Sequence, residues 1–155
     1  MRLRPLSAAA ERALADLIGR HAAHATLPVP VQQIAEREGW DIEFRDGLGT
    51  ILGISGVYKG AKLMWINGQL SSPERRAVIA HELGHWLNGD ELVIRTCQWI
   101  SFAYHWDARL ERDATIAAAR LLIPDWAVRE YQTVQAIAAA CDVPPWLVEM
   151  AYSFS

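Results

Sequence analysis

His81-Glu82-Leu83-Gly84-His85 is the stretch that decides the fold. On a helix, residues four apart stand one above the other on the same face, so His81 and His85 can reach a single ion. Zinc takes such imidazole nitrogens at roughly 2.0–2.1 Å. Glu82 is rotated off that face, where it can meet a water rather than the metal and act as catalytic base. Gly84 costs about 1 kcal/mol of helix propensity relative to Ala, and its small size would let a second backbone approach closely. Ala77, Val78 and Leu83 give this helix an apolar surface for docking. By accident the pattern arises in on the order of one chain in a few hundred, and accidental copies need not sit in a capped helix after an apolar strand.

Upstream, Ser71-Ser72-Pro73-Glu74 predicts the helix start, with Glu74 completing a capping box from Ser71 and Pro73 tolerated in the first turn. Asn88-Gly89 predicts its end. Before it, Trp40–Arg45 alternates apolar and polar residues as a half-buried strand does. Strands are expected around Ile51–Ile54, Gly56–Tyr58 and Ala61–Ile66, with Lys59-Gly60 as a hairpin turn. If Lys62–Ile66 is the sheet edge nearest the site, it could take a peptide backbone by strand addition. Further upstream, Leu6, Ala10, Leu14, Leu17 and Ile18 recur at helical spacing. The prolines at 28 and 30 close that region, and Val31–Glu38 reads as a short helix ended by Gly39.

A catalytic zinc needs a third protein ligand and an open fourth position. The acidic candidates are Asp107, Glu111 and Asp113, at the start of a helix expected over Asp107–Ile123 and closed by Pro124. From Ile116 to Leu122 that helix is apolar or small except at Arg120, so it must be buried, and buried carboxylates need partners. Glu111 follows His85 by 26 residues (111 − 85), enough for the chain to loop round and return. The blander alternative is placement of Glu111 and Asp113 near the helix N-terminus for its dipole alone. Glu111 is the preferred ligand and Asp113 the alternative. Tyr104 and His105, in the aromatic-rich stretch before this helix, are candidate donors to the oxyanion. Two shorter helices, near Trp126–Ala140 and Pro145–Tyr152, are expected to finish the chain.

The remaining composition narrows the function classes. The chain has 155 residues, 52% hydrophobic and 21% charged, with seven Trp. It can bury a core without staples. A formal net charge of −3 gives no bulk attraction to phosphate backbones. Cys97 and Cys141 lack metal or disulfide spacing and read as free thiols, which suits a reducing, cytoplasmic compartment. Glu11 and Asp16 interrupt the N-terminal stretch, so it is not read as a signal peptide, and nothing approaches membrane-spanning length. His21 and His24 share three-residue spacing but have no sequence-adjacent acidic or sulfur partner, and are taken as surface residues.

Three segments resemble the ImmA/IrrE family of zinc metallopeptidases: "PVPVQQIAEREG" (28–39) with the strand at 41–44, "RRAVIAHELGHWL" (75–87), and "ERDATIAAARLLIP" (111–124). The last is similar to the pattern E-x-x-A-[ND]-x-F-A-x-x-L-L-x-P, which puts Glu111 at the glutamate that related, gluzincin-like peptidases use as third ligand. Two positions depart from it: Thr115 stands for an Asn or Asp that would orient a ligand histidine, a role its hydroxyl could fill more weakly, and Ala117 stands for Phe. The resemblance implies Zn2+ as cofactor and, as substrate, a DNA-binding repressor of the helix-turn-helix type whose cleavage relieves repression.

The expected fold is α+β: a small, mainly antiparallel sheet packed on a helical zincin-like core that carries the HExxH helix, with C-terminal helices. One domain is expected over 1–155, with an N-terminal helix (1–27), a catalytic core (28–124) and a C-terminal helical segment (125–155) suited to docking a partner. The alternative function is a non-cleaving, zinc-containing regulator that binds and sequesters a repressor, though a purely structural site has no need of Glu82. A DNA-binding role is poorly supported, because 144–155 contains no Lys or Arg.

Overall fold

The computed structural model describes residues 2–89, 95–97 and 108–153. In chain order these form β1 (Arg2–Leu3), α1 (Ala8–His21), α2 (Val31–Arg37), β2 (Trp40–Arg45), β3 (Gly53–Tyr58), β4 (Ala61–Asn67), α3 (Ser72–Leu87), β5 (Arg95–Cys97), α4 (Ala108–Leu122), α5 (Asp125–Tyr131), α6 (Val134–Cys141), α7 (Pro145–Ala151) and β6 (Tyr152–Ser153). The fold is α+β. Among the described residues no helix is long and apolar enough to cross a membrane.

The sheet order is β2-β4-β3-β5. Lys59 and Gly60 both take positive φ (49° and 80°), the geometry that a two-residue hairpin needs, so β3 and β4 become antiparallel neighbours. β3 also pairs antiparallel with β5. β2 pairs with β4 instead of β3, and that pairing is parallel. Strand direction alternates from β2 through β4, so placing the first strand of this sheet beside the third makes the sheet mixed. The order also makes β4 an interior strand, with β2 and β3 on its two sides. Strand addition to Lys62–Ile66 is thereby ruled out, because its backbone groups are already in ladders.

One face of the sheet, with Trp40, Met64 and Ile66 buried, packs on α3. From Ala77 to His85 every residue of α3 is buried. A helix enclosed on all sides is a central element, and α4 covers the side that the sheet does not.

Three local expectations change, and the N-terminus adds a feature of its own. Ser71 is the N-cap of α3 by position, but its side chain makes no cap hydrogen bond, so the capping box does not form. Ile51 and Leu52 precede the strand, and residues 53–58 form one strand instead of two. The segment after Pro124 splits into α5 and α6, because Gln132 adopts φ 65° and the Thr133 hydroxyl caps a new helix by accepting from Ala136 N at 3.1 Å. At the N-terminus Ser7 caps α1, while Arg2–Leu3 pair antiparallel with Tyr152–Ser153 and tie the two ends together.

Candidate metal centre

Three ionisable side chains, His81, Glu82 and His85, lie in the enclosed part of α3, exposed by only 1%, 2% and 3%. Buried polar groups of this kind are costly unless partnered. Their partners come from the two layers on either side of the helix.

On one side is α4. A Cβ built on Gly84 would sit 2.2 Å from the Ala114 carbonyl oxygen, so the two helices meet backbone to backbone at that point. The side chains flanking the contact are thereby brought within reach. Glu111 and Thr115, one turn apart on α4, face His81 and His85, one turn apart on α3. His81 Nε2 lies 2.9 Å and His85 Nε2 3.3 Å from the same oxygen, Glu111 Oε2. The imidazoles stand edge to face, 4.8 Å between centroids.

Thr115, fully buried, determines what His81 presents. Its hydroxyl donates to the Glu111 carbonyl at 2.9 Å and stands 2.9 Å from His81 Nδ1. With its one hydrogen committed to the carbonyl, the hydroxyl accepts from His81 Nδ1–H, which leaves the His81 Nε2 lone pair directed at the carboxylate. A lone pair and a carboxylate oxygen 2.9 Å apart repel unless positive charge lies between them. Donors held roughly 2.0–2.1 Å from one ion at tetrahedral angles stand about 3.3 Å apart, close to the spacings found here. Two imidazoles and a carboxylate, with candidate ligand atoms all within 4.8 Å of one another, are therefore a donor set that fits a divalent cation.

On the other side is β3. The Ser55 hydroxyl, 6% exposed, donates to Glu82 Oε2. Sequence reasoning missed Ser55, since a serine in a strand carries no local signal of a carboxylate partner 27 residues away.

The other sequence candidates fall elsewhere. Asp113 is partly exposed, its Oδ2 4.0 Å from Arg109 Nε on the same helix, and it is outside the cluster. Tyr104, His105 and Asp107 lie outside the described residues. Ala117 is fully buried in α4. His21 and His24 are not surface residues: both are partly buried, His21 beside Glu38 at 3.6 Å and His24 with Nε2 2.8 Å from the Leu121 carbonyl oxygen. Both partners are distant in sequence, so no local signal points to them. Cys141 is a buried free thiol, its pKa pushed up to about 11 by burial.

A family model, Peptidase M78 (IrrE N-terminal-like domain), matches residues 35–138, about two thirds of the chain and all of β2 to α5. No curated protein matches the chain.

Proposed function

The chain belongs to the Peptidase M78 family of IrrE N-terminal-like domains, and from that membership, which carries metallopeptidase-type function and a protein substrate, we propose that it is a zinc-dependent endopeptidase. His81, His85 and Glu111 would hold the ion, and Glu82 is the base. The observation that carries the proposal is the convergence of two imidazole nitrogens and one carboxylate oxygen inside a buried core, where uncompensated charge is not tolerated. A bound divalent ion supplies Lewis acidity, polarising the scissile carbonyl and bringing the pKa of water to roughly 7.

The chain's own side chains do the rest. Glu82 is next to His81 in sequence yet does not share its face, so its carboxylate is free to work on protons. It takes a proton from the attacking water and returns it to the departing amine nitrogen. Thr115 keeps His81 in the tautomer whose Nε2 is unprotonated. The buried surroundings of the cluster strengthen each of these interactions. In this proposal the whole of 1–155 acts as one zincin-like domain.

The substrate we propose is a helix-turn-helix repressor encoded near this chain's gene, supported by the ImmA/IrrE-like segments at 28–39, 75–87 and 111–124. The test incubates the zinc-loaded chain with that repressor and maps fragments by mass spectrometry. Cleavage by the wild type and none by Glu82→Gln, with zinc content equal in both, is the expected result. Equal relief of repressor–DNA binding by both proteins, without fragments, would establish sequestration instead.

A further inference from the structure

Ser55 is a buried hydroxyl bonded to the carboxylate on which the proposed chemistry depends. Its position follows from how β3 lies on α3. Gly53 and Ser55 are two residues apart on the strand and point to the same side, toward the helix. A Cβ on Gly53 would sit 2.7 Å from Val78 Cγ1. Val78 and Glu82 are four apart on α3. Two residues of strand advance about 6.6 Å and four residues of helix about 6.0 Å, so the strand and helix contacts stay in step. The missing side chain at residue 53 brings the strand down onto Val78, and one step further the short serine side chain meets Glu82. Ser55 meanwhile lies between two neighbouring strands, opposite Met64 on β4 and Arg95 on β5, so the backbone beneath the hydroxyl is held on both sides.

We propose that Ser55 is a positioning residue for Glu82. Its hydroxyl holds Oε2 and leaves Oε1 directed at the proton to be moved. This inference rests on the proposed role of Glu82 as base and adds a second element, the sheet, to a site whose other groups all come from helices. A carboxylate held by a donor on one oxygen is restricted to one rotamer, and general-base catalysis needs that restriction, because the base must lie within hydrogen-bond reach of the proton it takes. A serine that merely filled space would be replaceable by alanine at little cost.

Two measurements on the full chain test this. The first is the side-chain carboxyl 13C resonance of Glu82 in labelled protein, with and without zinc, identified by its disappearance in Glu82→Gln. Ser55→Ala is expected to shift that resonance, and Ser55→Thr, which keeps a hydroxyl on the same carbon and suits a strand, to restore it. A resonance unmoved by Ser55→Ala overturns the proposal whatever the activity. The second is cleavage of the neighbouring repressor by the zinc-loaded proteins. Ser55→Ala should lower kcat by roughly ten- to a hundredfold, the effect of one lost hydrogen bond to a charged group, with KM and zinc affinity unchanged and Ser55→Thr close to wild type. A loss confined to KM or zinc affinity, or no loss, defeats the role of Ser55 alone. Full cleavage by Glu82→Gln would defeat the base assignment itself, and the two failures are thus distinguishable.

Discussion

Gly84 and Ala114 are in such close apposition that no side chain fits between them: a Cβ at residue 84 would lie 2.2 Å from the Ala114 carbonyl oxygen, 2.9 Å from its carbonyl carbon and 3.1 Å from its Cα. All three obstacles are backbone, so no rotamer change relieves them. Gly84→Ala gains about 1 kcal/mol in helix propensity, but it forces α3 and α4 apart, and overpacking of this kind costs about 1–3 kcal/mol or more. The second effect wins. The variant should have a lower urea midpoint than wild type and weaker zinc binding, because Glu111 and the two histidines sit on the helices being separated. An unchanged midpoint together with unchanged zinc affinity would show that the helices do not need this contact.

Thr115 offers a cleaner separation of positioning from packing. Thr115→Val keeps the shape and removes the hydroxyl that bridges His81 Nδ1 and the Glu111 carbonyl. Loss of such a supporting bond typically costs about 10- to 100-fold in metal affinity. Competition with a chelator should place Thr115→Val in that range and Thr115→Ser near wild type. Equal affinities for all three proteins would remove Thr115 from the site.

The same contrast explains what could be read in the sequence. The hairpin at Lys59-Gly60, the strand Trp40–Arg45 and the span of α3 each have a local cause: a turn dipeptide, a two-residue alternation, or a Pro and a Gly at the helix ends. The proximity of Glu111 to His81 and His85 was legible because an apolar helix that begins with carboxylates has few ways to bury them. Ser55 was not legible, since its partner is fixed only when Gly53 settles on Val78. Nor was the β2–β4 pairing, which depends on which free edge of the hairpin the earlier strand reaches. The break at Gln132 was hidden for another reason: a positive φ there is unannounced by glycine or asparagine.

Metal addition should stabilise the fold, because the proposed ligands come from α3 and α4 and converge only in the folded chain. At zinc about a hundredfold above its Kd the gain is about 2.7 kcal/mol, which for a chain of this size moves Tm by about 5–10 °C. Glu111→Gln should lose most of that shift, whereas Asp113→Asn, outside the cluster, should retain it. A full zinc-dependent rise in Glu111→Gln would exclude Glu111 as a ligand.

His24 gives the fold a pH dependence that is independent of the metal. Burial lowers its pKa from an ordinary 6.5 and outweighs the opposing hydrogen bond to the Leu121 carbonyl and the charge of Asp125. The unfolded chain therefore takes up a proton at this residue more readily than the folded one, and stability must fall as pH drops below 6.5. Above that value both states hold the ring neutral and the contribution is level. Comparing urea midpoints of metal-free wild type and His24→Gln isolates this group, since the other titrating residues are common to both. The difference in favour of wild type should shrink between pH 7.5 and pH 5, because Gln binds no proton in either state. A difference that stays constant, or grows, as the solution is acidified would mean that folding does not hold His24 in its neutral form.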